Sequence, residues 1–260
     1  MPRLLKALPL TLATVILSIV TTSCGANGAQ ARFVNAIEDT VDYGGGSGGL
    51  DVYVNGGKPF SDITFGSASA STYTSVASGS DTIAAVQTGS TPPANQLFSQ
   101  AVRLNSGSEY TLVATGLVSS SSVVLLTQAD NNREPADGTI NFRVINASPS
   151  GPQGNAAEPV DIYLVPNTGQ QQACSGTPTI SSLAYQQTSP YVNLNYYAGP
   201  PGSGYIMYVC LTPNGIPVFS GGYPISVGSL NMGSIRTLIL PDQENIKAMS
   251  STPIVLSDLN

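Results

Sequence analysis

The sequence predicts an all-β protein: two tandem antiparallel β-sandwich domains behind a cleaved signal peptide. Three observations predict it. A pair of segments recurs in the same order. Ala31-Arg32-Phe33-Val34-Asn35-Ala36-Ile37 precedes Leu50-Asp51-Val52-Tyr53-Val54, and Phe142-Arg143-Val144-Ile145-Asn146-Ala147-Ser148 precedes Val160-Asp161-Ile162-Tyr163-Leu164. Such self-similarity is the mark of a duplicated unit. The second segment of each pair alternates apolar and polar residues with period two, as a strand buried on one face does. Finally, only 9% of residues are charged while Gly and Pro number 27 and 19, a composition that favours short strands and many turns over helices.

Taken in order, the leader comes first. Arg3 and Lys6 are followed by an uncharged apolar run at residues 8–20. That run is shorter than the roughly 20 residues a spanning helix needs, and it fits the apolar region of a secretory signal. Thr21-Thr22-Ser23-Cys24 then resembles the lipobox of bacterial lipoproteins, departing from it at Thr21, where Leu is usual. The resemblance implies cleavage before Cys24 and acylation of its thiol and amine. A competing A-x-A site, Ala29-Gln30-Ala31, would place the cut after Ala31. On the first reading residues 1–23 are signal and 24–30 a polar tether. The protein is then exported and held by lipid at a bacterial cell envelope, at the outer membrane or cell surface, since Gly25 does not resemble the Asp that retains lipoproteins at the inner membrane.

The first sandwich is predicted over 31–128, with strands at 31–37, 50–55, 61–65, 72–76, 81–87, 97–104, 109–115 and 122–128. All are short, rich in Val, Thr, Ile and Tyr, and bounded by Gly, Asn or Ser. Asn55-Gly56-Gly57 is a hairpin signal. Residues 129–138, polar and containing Pro135, read as a linker. The second sandwich is predicted over 139–242, with strands at 140–147, 160–165, 178–184, 190–196, 204–211, 216–225 and 234–240. A tail at 243–260 offers a helical turn at 244–249 and an edge strand at 253–256. Alternation puts Leu50, Val52 and Val54 on one face and Asp51 and Tyr53 on the other. It likewise separates Val160, Ile162 and Leu164 from Asp161 and Tyr163. Arg32 and Arg143 on the preceding strands are expected to pair with Asp51 and Asp161.

Three cysteines are an odd number for an exported chain. With Cys24 assigned to lipid, Cys174 and Cys210 remain to form a disulfide in an oxidising compartment. Closing that loop stabilises by about 4 kcal/mol in the chain-entropy account. Two Cys with no His cannot complete a zinc shell, so no metal is expected.

The same residues resemble a bacterial family, domain-of-unknown-function family 4397. Its members carry an Arg-bearing strand ending in His-Ala-Ser-Pro and then Val-Asp-Val-Tyr-Val. Asn146-Ala147-Ser148-Pro149 and Val160-Asp161-Ile162-Tyr163-Leu164 match, with Asn in place of His; the first copy keeps Asn35-Ala36 but has Ile37-Glu38 where Ser-Pro stands. Gly107-Ser108-Glu109-Tyr110-Thr111-Leu112-Val113-Ala114 also fits. The resemblance implies exported Ig-like sandwiches, here in tandem, and no assigned reaction.

Chemistry is narrowed sharply by the absence of any His, which removes Ser-His-Asp and Cys-His nucleophiles and His bases. Outside the leader the lysines are Lys58 and Lys247, neither in a context that suits a Ser–Lys dyad. The net charge of −6, with no basic stripe, excludes nucleic acid as a partner. Tyr43 opens a Gly-rich loop, YGGGSGG, that could serve binding; Glu38, Asp39 and Asp42 before it could offer oxygens to Ca²⁺, without a calcium-loop motif. Tyr196 and Tyr197 beside Gly199-Pro200-Pro201-Gly202 are the other candidate contact, since tyrosine gives rigid apolar area with a polar tip. The reading is therefore a lipid-anchored envelope protein without catalytic residues or cofactors, acting in adhesion, scaffolding or binding. Its partners are the membrane, through lipid, and a surface protein or glycan. A carbohydrate-binding module assisting polysaccharide capture is the second reading, and a carboxylate-dependent hydrolase ranks last.

Overall fold

The computed structural model describes residues 28–40, 48–69, 72–150, 158–167, 174–197, 204–212, 215–218, 223–226, 232–241 and 253–258. The leader, Cys24, Tyr43, Asp42 and residues 244–249 lie outside them. Among the described residues the chain is strand and turn, with one 3-10 turn at Glu38–Thr40.

The first half holds β1 (Ala29–Asn35), β2 (Leu50–Val54), β3 (Gly57–Ile63), β4 (Ser67–Ala68), β5 (Thr74–Val76), β6 (Gly79–Gln87), β7 (Gln96–Leu104), β8 (Glu109–Thr115) and β9 (Val124–Ala129). They make two sheets. One has the order β4-β1-β8-β9, with β5 also on β1, and the other has β3-β2-β6-β7. The second half holds β10 (Thr139–Asn146), β11 (Val160–Pro166), β12 (Ile180–Leu183), β13 (Val192–Asn195), β14 (Gly204–Leu211), β15 (Ile216–Pro217), β16 (Tyr223–Ser226), β17 (Ile235–Leu240) and β18 (Ile254–Ser257). Its sheets are β13-β10-β17-β18 and β12-β11-β14-β15, with β16 also on β14. None of the described ladders joins one half to the other.

Each half is a sandwich with its own core. Leu50, Val52 and Val54 pack with Phe33, Phe60, Ile83 and Leu112 in the first. Val160, Ile162 and Leu164 pack with Phe142, Met207 and Leu238 in the second. The predicted alternation therefore points its apolar residues inward in both copies. The β2–β3 turn is built as its sequence requires: Asn55 and Gly56 both have positive φ, 49° and 84°, the conformation that a two-residue hairpin of matching twist needs.

Three expectations are corrected. The sheets are not purely antiparallel, because β1 pairs with β8, and β10 with β17, in parallel. These neighbours are not joined by a hairpin; the chain crosses to the facing sheet and back between them, so both can run the same way. Residues 216–225, expected as one strand, form the two short strands β15 and β16. The segment expected as an edge strand in a tail does form, but β18 belongs to the second sandwich, paired to β17 from Arg236↔Ser257 to Ile239↔Ile254.

The two sandwiches pack face to face through their β1-containing and β10-containing sheets. Val34, Ala36 and Val113 from the first half and Ile145, Ala147, Ile239, Ile254 and Leu256 from the second form one shared apolar cluster. The Thr115 hydroxyl donates to the Ala147 carbonyl at 2.5 Å across this junction. The result is four layers of sheet in which β1 and β10 begin at the same end. Removing buried methyl groups from a packed core costs about 2–5 kcal/mol. Ile162→Ala is expected to lower urea-unfolding stability by that amount; a loss below about 0.5 kcal/mol would be incompatible with Ile162 filling the second core.

Candidate functional site

Alternation decides where the two arginines go. Ala31 and Phe33 face the first core, so Arg32 and Val34 face out of that sheet; Phe142 and Val144 face the second core, so Arg143 and Ile145 face out of theirs. Those outward faces meet between the sandwiches, and the arginines are 1% and 2% exposed. A buried guanidinium is tolerated only when charge and hydrogen-bond partners surround it.

Both arginines are supplied by one repeated pattern. Arg32 Nε donates to Thr111 Oγ1 at 2.9 Å, Nη1 to the Ser257 carbonyl at 2.5 Å, and Nη2 to Asp258 Oδ1. Arg143 Nε donates to Thr237 Oγ1 at 2.7 Å, Nη1 to the Ala129 carbonyl at 2.9 Å, and Nη2 to Asp130 Oδ1. Each threonine hydroxyl then donates to the acid of its own half: Thr111 to Asp130 Oδ2 and Thr237 to Asp258 Oδ2, both at 2.7 Å. The hydroxyls of Tyr73 and Tyr191 donate to the same acids at 2.5 and 2.8 Å. Their rings lie under the guanidinium carbons of Arg32 and Arg143 at 4.9 and 4.8 Å, within cation–π range. The acids are thus crossed. The aspartate that closes one sandwich takes the arginine of the other, and Arg32 also lies 3.6 Å from Asp130.

Burial fixes the protonation states of the ring hydroxyls. It drives the Tyr73 hydroxyl far up, with the Asp130 charge adding to the effect and Arg32 opposing it. Burial likewise raises Tyr191, against the pull of Arg143 and with the help of Asp258. Both stay protonated and can donate. Burial pushes Arg143 down, but Asp130, Tyr191 and Asp258 together hold it above its ordinary value. Glu109 at the margin is raised by burial and by Asp130, with Arg32 opposing. Two cations and two anions, each hydrogen-bonded by several protein groups, form a neutral lock. Nothing in it supplies an activated nucleophile or a carboxylate open to solvent.

The expected pairs Arg32–Asp51 and Arg143–Asp161 are therefore wrong. Asp51 and Asp161 sit on the outer face of the other sheet of their sandwiches, so the stacked sheets, roughly 10 Å apart, separate them from the arginines. Asp51 takes Lys58 Nζ at 3.0 Å and the N–H groups of Asp62 and Gly89 at 3.0 and 3.2 Å. Asp161 accepts the Ser182 N–H at 2.8 Å. Sequence reasoning missed Asp130 and Asp258 because they fell in the predicted linker and tail. The available signal was a second repeat, Gly107-Ser108 with Thr111-Leu112 and Gly233-Ser234 with Thr237-Leu238, each preceding a strand that is followed directly by Asp.

The asparagines of the repeated strand, Asn35 and Asn146, are also structural. Asn35 Nδ2 donates to the Ile63 carbonyl and Asn146 Nδ2 to the Leu183 carbonyl, both at 3.0 Å, while their Oδ1 atoms take the N–H groups of Ile37 and Ser148. Each ties its strand to the facing sheet. Asp39 accepts the N–H groups of Val118 and Ser119, both at 2.8 Å, which commits its carboxylate to a loop. No group of potential metal ligands occurs among the described residues.

Cys174 and Cys210 form the expected disulfide. It lies on the outer face of the second sandwich with Tyr163 and Tyr208. Tyr196 and Tyr197 are half-buried and pack against the second core. The Tyr196 N–H donates to the Gly138 carbonyl at 2.7 Å, which puts the pair at the end where β10 and β1 begin. Cys24 and Tyr43 lie outside the described residues, and no helix of the described residues is long and apolar enough to cross a membrane.

Residues 29–157 match the family described as Domain of unknown function (DUF4397), and this stretch of the chain belongs to it. The match includes β1, β9 and Arg143. No curated protein matches the chain. A structure of family 41 carbohydrate-binding modules from streptococcal virulence factors, described for alpha-glucan recognition, is similar at 12% identity over 84% of this chain and 96% of that one, with a TM-score of 0.26. A likeness at that level assigns no ligand.

Removing one member of a buried pair costs about 3–5 kcal/mol because the other charge is stranded. Arg32→Met and Asp258→Leu are each expected to do so, and a urea double-mutant cycle to show about 1–3 kcal/mol of coupling; additive losses would break the assigned contact. A second prediction concerns acid. Burial raises the Asp51 carboxyl, but Lys58 and the Asp62 and Gly89 N–H groups hold it below its ordinary value. Its contribution is complete above the unfolded value and is lost as pH falls through the folded one. Asp51→Asn should flatten the decline of stability below about pH 4; an unchanged slope would mean that the carboxylate has no preferential folded-state partners.

Proposed function

We propose that this family member is a lipid-anchored cell-envelope protein serving as a non-catalytic adhesion, scaffolding or binding module, its second half being another copy of the same unit. The observation that carries the reading is the fate of the buried charge. Arg32, Arg143, Asp130 and Asp258 are consumed in holding two sandwiches together. With no His in the sequence, this leaves the chain suited to presenting a surface.

The start of β1 supports cleavage before Cys24. Ala29 and Ala31 are both fully buried in the first core. A cut after Ala31 would remove three strand residues, among them Gln30, which pairs with Ser75 and Glu109. A cut before Cys24 leaves the strand whole with a short polar spacer ahead of it. With lipid on Cys24, the end where β1 and β10 begin faces the membrane, and Tyr196 and Tyr197 go with it. The opposite end, carrying residues 88–95, 117–123 and 148–150, is then the one offered to a surface protein or glycan.

Intact-mass analysis of the membrane fraction is expected to find an acylated N-terminal Cys24, and Cys24→Ala to release the protein into the soluble fraction. A mature chain beginning at Arg32 would overturn the anchor. On a panel of glycosidic and ester substrates no turnover above buffer is expected; turnover abolished by a single Asp→Asn or Glu→Gln change would restore the hydrolase reading.

A further inference from the structure

We propose that β18 and Asp258 act as an intramolecular clasp that makes the two sandwiches open as one unit. The two halves of the charge lock are alike in geometry but unlike in the chain. Arg143 reaches Ala129 and Asp130, which lie 14 and 13 positions away, so its contacts with the first sandwich can close as soon as β10 meets the end of β9, with Thr237 joining from its own sandwich. Arg32 reaches Ser257 and Asp258 across 225 and 226 positions. Only its Nε is satisfied by a hydroxyl of its own sandwich, that of Thr111. Long loops close late and add entropy cost, so the Arg32 side is the last to form.

The strand that delivers Asp258 is placed for this task. Among the described strands β18 is the outer one of its sheet, paired to β17. Alternation turns Ile254, Leu256 and Asp258 toward the first sandwich, where the two apolar residues join Val34 and Val113 in the shared cluster. Without β18, Arg32 would lose the Asp258 carboxylate, the Ser257 carbonyl and the cover of Ile254 and Leu256, keeping only Thr111, the Tyr73 ring and the more distant Asp130 of its own sandwich. The first sandwich is therefore finished by a segment made after the whole second one. This property is independent of the anchor and of any partner.

Hydrogen exchange on the full chain tests it. Ile162 lies in the second core, away from the junction. In the parent protein Ile162→Ala is expected to speed exchange at least tenfold at amides of β17 and, by a similar factor, at those of β1 and β8. In an Asp258→Asn background the response of β1 and β8 to the same change should fall below threefold while β17 still responds. Should Asp258→Asn not fold, Leu256→Ala loosens the same strand without stranding a charge and takes its place. Acceleration confined to the second sandwich in the parent, or an undiminished response of β1 and β8 once the clasp is weakened, would overturn the proposal.

Discussion

The crossed pairing of Arg32 with Asp258 and Arg143 with Asp130 is the constraint to which the rest of the molecule answers. An arginine on the outward face of a sandwich sheet normally reaches water. Here it cannot, because a second sheet lies over it, and so every donor must be met by protein. That requirement accounts for the threonines at 111 and 237, the two carbonyls that end their strands, and the tyrosines whose rings cover the guanidinium groups. Buried ion pairs are weak sources of net stability but good selectors of arrangement, since a slipped register would strand a charge. The apolar cluster supplies the adhesion between the sandwiches, and the charges fix the alignment in which it forms.

Much of this architecture was legible from residue order. The repeated Arg- and Asn-bearing strand announced two equivalent units, and period-two alternation set the inward faces of β2 and β11 correctly. The Asn55-Gly56 turn and the pairing of Cys174 with Cys210 followed from local chemistry and counting. What alternation could not provide was the identity of whatever covers the opposite face. Arg32 and Asp51 were matched because their strands are consecutive, but consecutive strands here belong to facing sheets. The true partners lay in stretches whose polarity reads as linker and tail. Parallel pairing of β1 with β8 is equally invisible, because it joins strands far apart in the chain.

The two halves agree at their junction and in the braces inside each sandwich, and diverge on their outer faces. Asn35 and Asn146 make equivalent braces to the facing sheet. On the outer sheets, the position opposite Asp51 is Val86, and the site is closed by Lys58 and the Gly89 N–H. The position opposite Asp161 is Cys210, and that region is closed by the disulfide. The outer sheets are thus closed by an ion pair in one half and by a covalent bond in the other. A repeat whose junction is invariant in logic while its outer sheets differ is one in which the junction restricts change most.

Because β1 and β10 start at the same end, the second sandwich enlarges the molecule sideways. A second sandwich stacked end to end would have lengthened the molecule and set the loops of the two halves at different levels. Side-by-side stacking instead leaves the height of one module and doubles its breadth, so that turns from both copies share a single rim. Any grip exerted at that rim would gain from two footholds at a common level, and reach would have to come from elsewhere.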